Sequence, residues 1–265
     1  MAISVLLPKI LETTKFNLIT EPSIAVIIPT YCEAENVESL IRQIQRLNLN
    51  VRIIVVDDSS PDQTQQIVNK LDREFNNILL VSRPKKLGLG TAITDGFRNA
   101  ITLKPLPDYV ITMDSDFSHN PKDIPRLLKS AEKGNDLVIG SRYIKGGKMK
   151  NWPLKRKLIS RFANLLASMT IGKKMNDYTS GFRCYSTKYV KKALKYLHST
   201  TFEIQVETIR QAKLNSFKVK EIPITFIERE NGQSKLSSGE FLAFLVYVTK
   251  SLIVRVLSRI NATPY

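Results

Sequence analysis

Cysteine is nearly absent from this chain. Only Cys32 and Cys184 occur, and neither belongs to a Cys-x-x-Cys pair. That excludes a disulfide framework and a cysteine-rich zinc site, and it suits a reducing compartment. Histidine is equally scarce, with His119 and His198 alone. Neither accompanies a nucleophile pattern, so a Ser-His-Asp or Cys-His mechanism is not expected. His198 is read as a helix-end residue and His119, close to an acidic pair, as facing solvent in preference to binding metal. Long apolar runs are missing too. A spanning helix needs roughly 18 uncharged apolar residues, and the nearest candidate, from Phe241, is interrupted at Lys250 and Arg255. The first 23 residues lack the charged-apolar-small succession of a secretory signal. The expected location is the cytoplasm or the cytoplasmic face of a membrane, on it rather than through it. No internal repeat or low-complexity tract is present.

Positive charge is in excess. Forty Lys and Arg against 24 Asp and Glu leave +16 over 265 residues. Such a balance implies an anionic partner: a nucleic acid, an anionic lipid surface or a phosphorylated substrate. Composition does not rank the three.

After a leader over residues 1–23, short apolar runs alternate with helical spacing. Strands are expected at Ile24–Pro29, Ile53–Val56, Ile78–Val81, Tyr109–Met113 and Leu137–Ile139, short and largely apolar runs of the kind a sheet buries on both faces. Between them Val37, Leu40, Ile41, Ile44 and Leu47 keep helical spacing, Asp62 precedes a second helix as its cap, Gly88 to Thr91 open a third, and Pro121 starts a fourth. This alternation predicts an α/β fold with a mostly parallel sheet and helices on both faces. A basic helix is expected over 154–171, a return to the sheet over 182–185, a helix over 203–214 and extended chain over 219–227. Residues 24–237 form the expected catalytic domain, and 238–265 an apolar helix studded with cations. Ligands of parallel sheets bind beyond the carboxyl ends of the strands, the edge where Glu33, Asp57, Asp58, Asp114 and Asp116 should emerge together.

Asp114-Ser115-Asp116 is the strongest local motif. Two carboxylates one residue apart at a strand end can grip a hard divalent cation from one side and leave its other positions for phosphate oxygens and water. Acidic residues also end many strands for no such reason. Asp57 and Asp58 could bond a ribose or base edge, or serve only as turn and cap residues. Gly88-x-Gly90 lacks a third glycine and the Walker lysine, so a plain loop-to-helix connection is expected there. Arg142, Lys145, Lys148, Lys150, Lys155, Arg156, Lys157 and Arg161 are interleaved with Trp152, Leu154, Leu158, Ile159 and Phe162. A basic amphipathic segment of this type can lie on an anionic membrane, and arginine suits bidentate phosphate binding.

Taken together, these segments resemble the family 2 glycosyltransferases of GT-A fold, with its Rossmann-like sheet. The matching stretches are 28–36 (IPTYCEAEN), 56–62 (VDDSSPD), 86–92 (KLGLGTA), 113–119 (MDSDFSH), 140–143 (GSRY), 152–161 (WPLKRKLISR), 179–183 (TSGFR) and 222–229 (IPITFIER) with Gly232, Ser234 and Lys235. The arginine-rich and Gly-x-Ser-Lys stretches are specific to the lipid-phosphate subgroup, and the whole covers roughly residues 24 to 240.

The resemblance implies an inverting enzyme that moves mannose from GDP-mannose to dolichyl or polyprenyl phosphate, with Mg²⁺ or Mn²⁺. It implies that Pro29, Tyr31, Glu33, Val56 and Asp58 hold the guanosine, and that Asp114, Ser115 and Asp116 meet the donor, the two aspartates through the metal. Arg142 would stand between donor and acceptor phosphates, with Arg156 and Ser160 on the acceptor phosphate and Arg229 and Lys235 on the donor diphosphate. Asp116 and Arg142 are the expected catalytic pair. Serine stands at 118 where many relatives carry glutamine, so two aspartates are the expected protein ligands. The C-terminal apolar helix is expected to be an interfacial anchor, ahead of packing on the catalytic domain or docking on a separate membrane subunit. A UDP-glucose enzyme making polyprenyl phosphate glucose is the nearest rival. A non-catalytic nucleic-acid binder would explain the charge, but not the acidic residues at the strand ends, and no nucleic-acid motif is present.

Overall fold

A computed structural model describes residues 21–172, 175–228 and 238–260. Arg229, Gly232, Ser234, Lys235 and nearly all of the leader lie outside them. In chain order the elements are β1 (Ile24–Thr30), α1 (Ala34–Gln45), β2 (Val51–Asp57), α2 (Thr64–Phe75), β3 (Ile78–Ser82), α3 (Leu89–Ala100), β4 (Tyr109–Thr112), a 3₁₀ turn (Pro121–Asp123) and α4 (Ile124–Ala131). There follow β5 (Leu137–Ser141), β6 (Lys148–Lys150), α5 (Leu154–Ile171), β7 (Arg183–Ser186), α6 (Thr187–Ala193), a second 3₁₀ turn (Leu194–Tyr196), α7 (Ile204–Leu214), β8 (Val219–Pro223), β9 (Thr225–Ile227) and α8 (Ser238–Ile260).

The main sheet has the order β3-β2-β1-β4-β7-β5-β8. Only β7 runs against the rest: it is antiparallel to both β4 and β5. Alternation within the apolar runs explains the two helical layers. Ala25 and Ile27 of β1 and Ile54 and Val56 of β2 face one core, with α3, α5, α6, α7 and α8. Ile24, Val26, Ile28, Ile53 and Val55 face the other, with α1, α2 and α4. Successive strand residues point to opposite faces, so a strand covered on both sides must be apolar throughout.

Strand order reverses direction between β1 and β4, which pair in parallel. A crevice opens at such a switch point, and the chain after β1, β2 and β4 leaves the sheet at that edge. Asp62 holds the entrance together: its Oδ2 accepts from Ala34 N at the start of α1, and its Oδ1 from Thr64 N at the start of α2, each at 3.1 Å. One carboxylate thus accepts the first backbone N–H of two helices, while the N-cap positions themselves are Glu33 and Gln63 rather than the expected Asp62. The short pair β6–β9 is parallel and lies outside the main sheet. Among the described residues, no helix is long and apolar enough to cross a membrane.

Candidate active site

The crevice has two connected lobes. The first, with about 680 Å³ of solvent-open space, is lined by Pro29, Tyr31, Glu33, Asp58, Lys86, Gly88, Asp114, Ser115 and Asp116. Lys86 Nζ lies 4.8 Å above the centre of the Tyr31 ring, which places a cation and an aromatic face side by side on this wall. Glu33 is buried, and its Oε2 accepts from Asn36 Nδ2 at 2.9 Å.

The adjacent carboxylates at the end of β2 divide their work. Asp57 is consumed internally, accepting from Thr30 Oγ1 (2.8 Å), Ser60 N (2.9 Å) and Gln65 Nε2 (2.6 Å). Its role is the turn. Asp58 pairs with buried Arg83 and accepts from Leu87 N and Gly88 N, each at 3.2 Å. It therefore shapes the loop that walls the first lobe. The glycines of that loop are needed for close packing. A Cβ on Gly90 would stand 2.4 Å from Ser199 O, and one on Gly88, where φ is +97°, 2.5 Å from Thr200 O. The plain loop-to-helix reading of Gly88-x-Gly90 holds, with this contact as its reason.

Asp114 and Asp116 line both lobes, as do Phe202 and Glu240. Phe117 between them and the following loop takes a left-handed φ of 59°, a turn that lets Ser118 N donate to Asp116 Oδ1 at 3.1 Å. Asp114 N donates to His119 Nδ1 at 3.1 Å. His119 is therefore not in solvent, as its polarity suggested. It is buried, stacked on Phe182 with centroids 5.0 Å apart and edge-on to Phe226 at 5.5 Å. Burial lowers its pKa, although Asp114 and Asp116 oppose the shift. An acceptor at Nδ1 and a depressed pKa both describe a neutral ring.

The second lobe, about 1000 Å³ and more apolar in its walls, is lined by Ser118, His119, Arg142, Trp152, Arg156, Ile159, Ser160, Phe226 and Phe244. Arg142 follows β5 and is buried. Its Nε and Nη2 donate to Asp177 Oδ2 and Oδ1 at 2.8 and 2.7 Å, and Nη2 also donates to Thr179 Oγ1. Arg156, on the first turn of α5, pairs with Glu228. Ser160, one turn further, accepts from Tyr143 OH at 2.8 Å. The wall behind is fixed by Arg183, fully buried, which donates to Tyr178 O, Ser180 O, Gln205 O and Thr208 Oγ1. Burial lowers its pKa, so its charge rests on these oxygens.

The expected residues thus separate by lobe. Pro29, Tyr31, Glu33, Asp58, Asp114, Ser115 and Asp116 share the first; Arg142, Arg156 and Ser160 share the second; the aspartates join the two. Val56 does not reach the cleft, because its side chain is fully buried in the sheet core. Trp152, read with the membrane-facing apolar residues, points inward and is buried. Asp177, Phe202 and Glu240 line or hold the site and carry no local motif, while Phe226 and Glu228 lie within the 222–229 stretch but were given no role by it. Among the described residues no group of three or more His, Cys, Asp or Glu could hold a metal ion. The protein's share of a divalent site would be the two hard carboxylates of Asp114 and Asp116, a donor set that fits Mg²⁺ or Mn²⁺ completed by phosphate and water oxygens.

Beside the second lobe, α5 turns apolar side chains outward. Leu154 is 73% exposed, and Leu158, Phe162, Leu165 and Met169 are also exposed, with Lys155 and Arg161 among them. Helix α8 adds exposed Leu242, Val246 and Ile253 while its buried Phe244 lines the lobe.

Residues 25–194 match the model of glycosyl transferase family 2. The chain is 38% identical over 216 residues to the polyprenol monophosphomannose synthase of Mycolicibacterium smegmatis, covering 81% of each protein. It is 37% identical over 229 residues to the dolichol-phosphate mannosyltransferase of Pyrococcus furiosus, covering 85% of this chain but 62% of that one. In fold it is similar to the glucosyl-3-phosphoglycerate synthase of Mycobacterium tuberculosis, solved with Mn²⁺, UDP and phosphoglyceric acid (TM-score 0.61, 20% identity, 92% of this chain and 80% of that one). A mannosyltransferase of Pyrobaculum calidifontis in complex with GDP-Man and Mn²⁺ shares the fold as well (TM-score 0.57, 13% identity, 93% of this chain and 77% of that one). With its catalytic-type cleft at the switch point of a GT-A sheet, the chain belongs to glycosyl transferase family 2.

Proposed function

We propose that this enzyme transfers mannose from GDP-mannose to a dolichyl or polyprenyl phosphate, with inversion, releasing GDP. The observation that carries the reading is the pair Asp114 and Asp116 standing between two lobes, one of which is lined by Arg142 and Arg156. A carboxylate pair next to guanidiniums suits two phosphate-bearing substrates meeting over a divalent ion. The names of the two sequence relatives support mannose and a polyprenyl acceptor.

In this reading the nucleoside lies against Pro29, Tyr31, Glu33 and Asp58, and its diphosphate reaches Asp114 and Asp116. Bound Mg²⁺ or Mn²⁺ would supply Lewis-acid stabilisation of the leaving diphosphate. Arg142, Arg156 and Ser160 hold the acceptor phosphate. A phosphate is anionic at neutral pH, so no side chain need remove a proton from it. One of its oxygens bonds to the anomeric carbon, the bond from that carbon to GDP breaks, and its electron pair leaves with the β-phosphate. Alignment and charge stabilisation are what the residues contribute. His119 Nδ1 already accepts from Asp114 N, and no step of this displacement asks it to take a proton.

The exposed apolar and cationic face of α5 would rest on an anionic membrane at its cytoplasmic face, presenting the second lobe to lipid. Residues 24–237 act as the catalytic domain in this reading, and α8, which packs on that domain through Phe244 and Val248, serves as an interfacial anchor through its exposed Leu242, Val246 and Ile253.

The test is transfer of labelled sugar to a short polyprenyl phosphate, from GDP-mannose and from UDP-glucose, with and without Mg²⁺ or Mn²⁺, beside an Asp116→Asn variant. Metal-dependent mannose transfer, lost in the variant, is expected. Transfer from UDP-glucose alone would overturn the sugar, and salt-sensitive binding to DNA without donor affinity would overturn the activity.

A further inference from the structure

Trp152 is the single tryptophan of the chain, buried where β6 gives way to α5. The guanidinium of Arg142 lies over its ring at 5.3 Å from the centroid, and that of Arg156 at 5.4 Å. Among the described residues it is the only ring that both arginines share. Phe226 packs against it at 5.2 Å and also lies under Arg142 at 5.4 Å. Each arginine has its own carboxylate, Asp177 for Arg142 and Glu228 for Arg156. Those acids stand on different segments, one after α5 and one after β9, so neither relates one arginine to the other. Two cations brought to one place also repel, and an electron-rich indole face offsets part of that cost.

We propose that Trp152 is a positioning residue for the acceptor phosphate: its ring sets the spacing of Arg142 and Arg156 so that both guanidiniums close on one phosphate group. This rests on the reading of the second lobe as a phosphate site. Arg142 is held by Asp177 and three rings. Arg156, about one third exposed, is held among the described residues by the Glu228 ion pair and the Trp152 ring. Loss of the ring would therefore free Arg156 first. The indole Nε1 is buried and has no hydrogen-bond partner among the described residues, which leaves ring contact as the side chain's evident contribution.

The chain's single tryptophan makes the inference readable without turnover. Farnesyl phosphate should change Trp152 emission saturably in the wild type, and Arg156→Ala should weaken that titration. In transfer assays Trp152→Leu should raise the acceptor KM about tenfold, the size expected for two cation–π contacts, with GDP-mannose affinity by calorimetry unchanged. Trp152→Phe, which keeps a ring face, should recover most of the loss. The inference is overturned if the leucine variant keeps the acceptor KM, if phenylalanine is no better than leucine, or if donor affinity and thermal stability fall together with acceptor binding. Should the wild type transfer no mannose, the proposed activity fails. A saturable farnesyl phosphate signal would still support the clamp, and a silent one would overturn it.

Discussion

Arg142 and Asp177 form a two-pronged ion pair in which both side chains are buried, although 35 positions separate them in the chain. The same carboxylate accepts from Arg142 N and Ser180 N, each at 3.0 Å. Burial alone would raise the Asp177 pKa, but the charge and hydrogen bonds of Arg142 outweigh it and hold the carboxyl below its usual range. Asp177→Asn leaves the guanidinium buried without a counter-charge and should cost about 3–5 kcal/mol in urea denaturation. The pH dependence has a definite sign. A depressed folded pKa contributes stability above the unfolded value of about 3.9 and loses it as pH falls through the folded value. The gap between wild type and variant should stay level from neutral to mildly acidic pH and narrow only in the acid range below that value. A gap that closes already near neutrality would contradict it.

Gly90 tests the support of the first lobe. Its missing Cβ makes room for Ser199 O, and Gly90 N donates to Thr200 O at 2.9 Å. The facing loop cannot yield easily. Glu207 accepts from Ser199 N and Glu203 from Thr200 N and Thr201 N, all at 2.9 Å. Gly90→Ala should destabilise by about 1–3 kcal/mol, as overpacking does, and weaken GDP-mannose binding by shifting the loop that Asp58 holds. Calorimetry of donor binding alongside thermal unfolding checks both effects. Unaltered donor affinity would separate this contact from the site.

What was legible in the chain was local. Unbroken apolar runs such as Ile24–Ile28 announce strands covered on both faces, and the basic helix read over 154–171 is α5 itself. The acidic residues after β1, β2 and β4 could be gathered at one edge because parallel strands share a direction. Contacts that depend on distant segments were not legible. Asp177 has no motif of its own, and its partner lies beyond two loops. His119 looked like a surface residue, but the rings that bury it come from β9 and from just before β7. Strand β6, Lys-Met-Lys, is too short and too charged to announce itself and exists by pairing with β9. Helix α6, rich in lysine, was hidden likewise.

The outward face of α5 yields a test that leaves chemistry aside. Leu158 is 57% and Phe162 50% exposed, and neither lines a lobe. Replacing both by glutamate should reduce cosedimentation with phosphatidylserine-containing vesicles several-fold, since apolar burial and charge attraction both weaken. Transfer to a short, soluble acceptor should continue. Equal vesicle binding by the double variant would remove α5 from the membrane contact.

Glu228 makes the sharpest prediction because its sign is unusual. Its Oε1 pairs with Arg156, while its Oε2 is buried with no hydrogen-bond partner among the described residues. If Arg156 is to take an acceptor phosphate, the carboxylate now holding it must be displaced, and that exchange opposes binding. Glu228→Gln keeps the shape but gives up the charge, so the phosphate should compete against a weaker ligand for Arg156. The pair is partly solvent-exposed, with side chains 32% and 21% accessible, so its loss should change stability by under about 1 kcal/mol. The variant should therefore show a lower acceptor KM, by a few-fold, with no gain in GDP-mannose affinity. A structural role alone predicts the reverse, a higher KM or a poorer fold. Steady-state kinetics with varied acceptor at saturating donor separate the two.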